Sequence, residues 1–519
     1  MKTYKYLFLL LVSVSIVGCS DLEEQPVGLL APDGFFQSTT DIQTAVNGAY
    51  THAINEKFWG RKLSIALMLR SDMVNLQSDQ ARRVEHNDFT TLSDNGMISE
   101  FWPKTYQGIA AANLAIAGAE DVAVADAVKN PVTAQAYFIR AFYYFHLVRQ
   151  FGGVPYIDTP VTDAEATGSL SRTPADEVYA KIIADLEYAK TWLPNTQSSR
   201  GIPAKSAASS YLALVYLTMG EYQKAYDEAK EVIDNKGTYN LDLDPDFQTL
   251  FDATKIDASL EPIFALDYNN VEASDNAYDQ VAPMTGIRNN YRFGAGNGGW
   301  AQVVPEIKVF NDWPSGDYRR AVSFDDKAVF LGDHDGDAST PDEVYEVNYT
   351  QFGIADGSQH EQALARPFIA KYYRFPGPFA RGSVRATSHN YSMLRYAEVL
   401  LIAAEAAVEL GDNASATTYI NMVRARARAG GSWNSTVASA VPANISGTVT
   451  VNDVLEERRL ELAFECKRWY DIARRQLGTT VFSATGFEGA KPGFSNDNYL
   501  MPLPGSEIIS NPNLTQNPG

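Results

Sequence analysis

The stretch Gly201–Asn235 constrains the fold of this chain more than any other. Ala207, Tyr211, Leu214 and Leu217 lie three or four residues apart, which places small and apolar side chains on one helical face. Gly220 then ends that helix, because glycine takes a left-handed cap without steric cost. Tyr222, Ala225 and Ala229 restart the pattern, and Ala225 is small enough to let two helices close on each other. The stretch reads as a helical hairpin, a unit that cannot bury its apolar face alone and needs stacked neighbours.

Neighbours of the same kind are present. Ala404–Ala416 repeats the pattern, with Gly411 in the role of Gly220. Ala134–Gln150 followed by Pro174–Leu193 forms a further pair, and Leu455–Arg475 reads as one amphipathic helix. Pro32–Tyr50, with Thr40 or Asp41 as its cap, and Ser99–Ala119 add two more helices. The hairpins are tetratricopeptide-like, at irregular intervals. The expected fold is therefore mainly α, with such hairpins forming a scaffold. An irregular, loop-rich insertion with a few short strands completes it. The scaffold is expected mainly within 32–238 and 390–480. The insertion covers about 239–389, where Gly, Pro, Asn and Asp are frequent and extended runs such as Pro262–Tyr268 appear. Residues 32–519 are read as a single domain.

The formal charge of −20 argues against a nucleic-acid partner, since binding phosphates needs clustered Lys and Arg. Six His and two Cys leave little material for a metal site or a disulfide framework, and no cofactor is expected. Cys466 sits within a helical pattern and reads as a buried thiol. Residues 1–18 read as a signal peptide, with Lys2 and Lys5 ahead of the short apolar run Tyr6–Val17. Gly18-Cys19 resembles the end of a bacterial lipobox, which makes Cys19 the lipidated residue and 19–31 a tether. The acidic run Ser20–Glu24 is similar to a surface-export signal.

Five landmarks in order resemble the SusD/RagB family of outer-membrane nutrient-binding lipoproteins of Bacteroidetes. They are Trp102–Tyr106 with Ala112-Asn113, then Ala136–Phe145 running on to Phe151–Pro155, and Leu394–Leu401 with Ala404–Ala406. Glu457–Asp471 and the ending Met501–Pro504 with Gln516–Gly519 complete the set. Two departures stand out: Cys466 occupies a position where the family usually has Gly, and the chain stops at Gly519 without a final Tyr. The resemblance implies capture of a glycan at the cell surface and its delivery to a SusC-like TonB-dependent barrel, without catalysis. It leaves open a RagB-like peptide binder. A surface glycoside hydrolase and a purely structural adaptor are the rivals from other classes.

Glu457, Glu461 and Glu465 are spaced at i, i+4 and i+8 and could be mistaken for a catalytic cluster. They are read instead as partners of Arg458, Arg468 or Arg424 between packed helices. A glycan site needs aromatic faces flanked by amides and charged groups. Two regions supply them. In Arg288–Gln302, Tyr291, Phe293, Asn297 and Trp300 accompany four Gly. After Arg70-Ser71, the residues Asp72, Asn75, Gln77, Asp79 and Arg82 form a polar loop, with Trp59 as a further aromatic face. Tyr278 and Gln280 are weaker candidates, and Trp102 and Trp469 are assigned to the core. Asp333–Asp337 has the spacing of a Ca²⁺ loop, but Val344 stands where an EF-hand needs Glu, so it reads as a solvated acidic turn.

Overall fold

The computed structural model describes residues 34–77, 80–161, 168–268, 279–287, 299–332, 343–348, 366–377, 387–483, 491 and 493–518. The first helix, α1 (Thr39–Ala53), is capped by Ser38 rather than by Thr40 or Asp41. Asp41 is the third helical residue, and its carboxylate accepts the Ser38 N–H at 2.8 Å. A capping box of this kind satisfies the otherwise unpaired amide before the helix. Then come α2 (Lys62–Leu69), β1 (Val74–Leu76), α3 (Ala81–Asp88), α4 (Ile98–Asp121) and α5 (Asp126–Phe151). From Thr133 to Phe151 almost every residue of α5 is buried, so α5 is a central helix and its sequence is apolar nearly all round.

α4 crosses α5 closely because Gly108 has no side chain. A Cβ there would stand 2.3 Å from the Tyr143 ring. The ring cannot swing away cheaply, since its hydroxyl donates to the Ala49 carbonyl at 2.6 Å. Gly108→Ala is expected to cost about 1–3 kcal/mol in chemical denaturation through overpacking; an unchanged unfolding midpoint would contradict this packing.

The scaffold continues through α6 (Ala175–Trp192), α7 (Lys205–Met219) and α8 (Tyr222–Asp234). Gly220 takes φ +77 between α7 and α8, the left-handed cap expected of it. The irregular half contains β2 (Pro262–Leu266), α9 (Val281–Thr285), β3 (Val303–Pro305), α10 (Ile307–Asp312), α11 (Tyr318–Ser323) and β4 (Phe324–Asp325). After β5 (Lys327–Gly332), β6 (Glu343–Asn348), β7 (Phe368–Ile369) and β8 (Tyr391–Arg395), helices return as α12 (Tyr396–Glu409) and α13 (Asn413–Arg428). Gly411 between them takes φ +78. The pairs α5–α6, α7–α8 and α12–α13 stack in that order, α6 against α7 and α8 against α12. The strands are short antiparallel pairs, β1 with β3, β2 with β8, β4 with β7 and β5 with β6.

The segment read as one helix over Leu455–Arg475 is two, α14 (Val451–Glu461) and α15 (Arg468–Arg474). Between them Phe464 and Cys466 take φ 64 and 58, left-handed values that no α-helix tolerates. Glycine at position 466, usual in the family the sequence resembles, would adopt this conformation without strain. Cys466 is buried, as expected, and burial pushes its thiol up to about 12. α16 (Gly478–Phe482) and α17 (Gly505–Ser510) close the chain. The tail after α17 is pinned: the Asn517 amide donates to the Phe151 and Met501 carbonyls at 2.9 and 2.7 Å.

Helical scaffold and irregular half are joined by a buried ionic network. Glu457, Glu461 and Glu465 are its centre, together with Glu261 and Asp317. Arg319 of α11 reaches Glu457 at 2.6 Å and Glu461 at 3.0 Å. Arg395 at the end of β8 binds Glu261, Glu461 and Glu465, while Arg426 of α13 binds Glu261 and Glu461. Lys371 pairs with Glu465, and Arg424 with Glu457. The glutamates are paired, as read from the sequence, and Arg424 is among their partners. Arg458 and Arg468 serve elsewhere, on Asp471 and Asp72.

Candidate functional site

α2 is buried at every residue, so the chain leaves the core at its end, at Arg70. Arg70 stays inside, its guanidinium 4.5 Å from the Trp469 ring and 4.9 Å from Phe89. Asp72 also turns inward. It receives a bidentate bond from Arg468 at 2.8 and 2.9 Å and is 8% exposed. Burial works against its carboxylate, but Arg468 outweighs burial and holds the carboxyl below its usual range. Asp72 is therefore an anchor under the start of β1, a correction to its reading as a loop ligand.

Trp59 requires a larger correction. It is 1% exposed, with Tyr391 and His146 rings 5.3 and 5.4 Å away. It fills the core beside Phe58 and offers no face to a ligand. Gln280 is likewise buried, its N–H donating to the Gly60 carbonyl at 2.8 Å. Trp102 and Trp469 are core residues, as expected.

Beyond Asp72 the polar side chains turn outward. Asn75 is half-buried and Gln77 exposed, on and just after β1. β1 pairs with β3, Asn75 opposite Val304, and the Gln77 N–H extends the ladder to the Gln302 carbonyl at 2.8 Å. The approach to β3 is fixed by main-chain bonds: Gly299, Trp300, Ala301 and Gln302 donate to Ile287, Pro283, Gly286 and Met284 at 2.6, 2.5, 2.9 and 2.9 Å. The fit requires glycine at 299, where a Cβ would lie 2.3 Å from the Gly286 carbonyl oxygen. Trp300 is thus half-buried on a rigid backbone, packed against the core.

α3 lies beside this strand pair. Arg83 donates to the Gln302 side chain at 3.0 Å, and its neighbour Arg82 is half-buried. Burial, then the charges of Arg82 and Arg61, lower the Arg83 guanidinium to about 10. Arg83 of α3 thus holds the Gln302 side chain, two residues after Trp300, beside the β1–β3 pair. The β1–β3 pairing brings Asn75 and Gln77 to the chain just after Trp300, far from them in sequence. Tyr291, Phe293 and Asn297 lie outside the described residues, as do Cys19, Asp79, Tyr278 and Asp333–Asp337. A sugar site needs an aromatic face for the ring and amides or a guanidinium for the hydroxyls, and Trp300, Gln302 and Arg83 supply these residue types here. Among the described residues, no three His, Cys, Asp or Glu side chains gather as a metal-binding group.

Sequence reading missed an aromatic cavity of about 650 Å³, lined by Phe310, Tyr318, Arg320, Asp326 and Trp433. Its signal was visible: Gly430-Gly431-Ser432-Trp433 places a Trp after paired glycines, as Gly298-Gly299-Trp300 does.

Comparison with known proteins shows the family of the chain and its fold. Residues 260–519 match the SusD family, and residues 22–217 match a family described as starch-binding associating with outer membrane. SusD-like protein P2 of Formosa agariphila is 48% identical, and the match covers 100% of both chains. Among solved structures, a SusD homolog from Bacteroides thetaiotaomicron superposes with a TM-score of 0.78 at 19% identity, covering 94% of this chain and 98% of that one. Surface glycan-binding protein A from the same species, solved with laminarihexaose, gives 0.72 at 20% identity, covering 92% and 99%. At such identities the two structures speak for the fold.

Proposed function

The chain belongs to the SusD family, and on that footing we propose that it captures an oligo- or polysaccharide at the cell surface and delivers it to a SusC-like TonB-dependent transporter. Trp300 carries the reading: a half-buried indole on a bonded backbone, two residues ahead of Gln302, whose carbonyl accepts the Gln77 N–H and whose side chain accepts from Arg83. The laminarihexaose complex of a structural neighbour supports a saccharide as the ligand class. Cys19, at the end of the leader, carries the lipid that anchors residues 32–519, a single domain, to the outer membrane. Several acyl chains, at ~0.8 kcal/mol per buried methylene, hold a protein there stably. The role is binding rather than hydrolysis. A glycosidase needs two carboxyl groups in an open cleft, and Glu457, Glu461 and Glu465 are buried and bound to arginines and a lysine.

Calorimetric titration of the full chain with neutral hexaoses of β-1,3, β-1,4 and α-1,4 linkage tests this. Trp300→Ala is expected to weaken the saccharide that binds by ~30-fold or more, as loss of an aromatic anchor does. Asn75→Ala should weaken it less. Saccharide binding indifferent to both substitutions would remove the site from this strand pair, and binding of peptides alone would turn the reading to a peptide carrier.

A further inference from the structure

We infer that the cavity beside Trp433 is a second saccharide-binding site, for a neutral sugar unit, separate from the Trp300 site; the inference rests on the glycan-binding reading above. The two sites share no residue, and β3 and α10 lie between Trp300 and Tyr318 in the chain.

The cavity, at about 650 Å³, is of the size that small ligands occupy. Its aromatic face is built rather than incidental. The Arg374 guanidinium lies 3.7 Å from the centre of the Trp433 ring, and Phe375 meets the ring edge-on at 5.7 Å. The main-chain N–H of Trp433 donates to the Tyr318 hydroxyl at 3.0 Å, and that hydroxyl donates to Asp246 at 2.9 Å. Asp246 also accepts the Ser432 N–H at 2.9 Å. The indole is half-buried and held before any ligand arrives, which reduces the ordering cost of binding.

Charge selects the ligand class. Arg374 is engaged inside by Asp325, Gln248 and the Val322 and Phe324 carbonyls. Asp317 is bound to Arg319. Among the described residues lining the cavity there remain one cation, Arg320, and one exposed anion, Asp326, with Asn434 and Thr436 as neutral polar groups. A site balanced in this way favours an uncharged polyol over a sulfated or uronic sugar. The sugar packs against the Trp433 ring and hydrogen-bonds to the rim. Two sites on one chain would hold a polysaccharide at two points and raise its avidity without tightening either site.

The test is calorimetry of the full chain with the same neutral hexaoses, comparing wild type with Trp433→Ala, Asp326→Ala and Trp300→Ala. The expected result is two hexaoses bound per chain, falling to one in Trp433→Ala and, independently, to one in Trp300→Ala. Asp326→Ala alters an exposed side chain, so it should weaken the Trp433 site at least threefold with an unchanged melting temperature. A site lost in Trp433→Ala but untouched by Trp300→Ala would uphold the cavity even if the Trp300 site failed. One site, lost only in Trp300→Ala, would overturn the inference and leave the proposed function standing. Binding of no hexaose would overturn both.

Discussion

Arg395→Met is expected to destabilise the protein by about 3–5 kcal/mol, the cost of leaving buried charges without their partner. Arg395 is 1% exposed. Its Nη1 donates to Glu261 and Glu461 at 2.6 Å each, its Nε to Glu465 at 2.9 Å, and its Nη2 to the Glu461 carbonyl at 2.7 Å. Methionine fills much of the same volume, so the loss reports charge rather than a void. Three carboxylates would then share Arg319, Arg426 and Lys371. Arg424→Met supplies the contrast. Arg424 meets Glu457 from a partly exposed position, at 18% side-chain exposure, and should cost about 1 kcal/mol or less. Chemical denaturation distinguishes the two; equal losses would contradict a buried joint at Arg395.

A second large effect is acid sensitivity beginning near pH 6.5. Burial lowers the His86 imidazole to about 3 and His389 to about 4, and burial with Arg149 and Lys467 holds His146 well below its usual range. Each is depressed on folding, so its stabilisation is complete above the unfolded value of about 6.5 and is lost as pH falls. The carboxylates act in the same sense lower down. Burial opposes Glu461, but Arg426, Arg395 and Arg319 overcome it; likewise Arg458 and Arg474 bring Asp471 to about 2. Their contribution holds above about pH 4.5 and is lost below it. Asp279 runs the other way: burial raises it to about 6, so it loses stabilisation as pH rises from about 4 to 6. Burial also raises Asp185, Asp267, Glu228 and Glu507 in the same sense as Asp279. The three histidines carry the large shifts, and the unfolding midpoint should fall from pH 7 to pH 5, then faster below pH 4. A midpoint flat from pH 7 to pH 4 would contradict the burial of His86, His146 and His389.

Local sequence carried the helical scaffold well. Periodicity and the glycines at 220 and 411 located α7, α8, α12 and α13, and both glycines adopt the conformation assigned to them. It carried non-local geometry poorly. Glu461 could be read as paired, yet two of its partners, Arg319 and Arg395, lie far from it in sequence, beyond the reach of a helical period. The break between α14 and α15 has neither glycine nor proline, and only the departure at Cys466 from the family pattern marked it. Trp59 and Trp300 illustrate the same limit at the site. Both follow or precede a glycine, and only packing separates the core ring from the half-buried one. Asp72 and Asn75 are three residues apart, but one turns to Arg468 and the other to the surface, a choice made by the β1–β3 pairing.

The most direct measurement is a crystal structure of the protein with the hexaose that binds it most tightly. The proposed function predicts a sugar ring stacked on Trp300, with hydroxyls reaching Asn75 and Arg82. A saccharide absent from Trp300 and seated instead in the cavity along Trp102 and Tyr106, about 870 Å³ in volume, would contradict it.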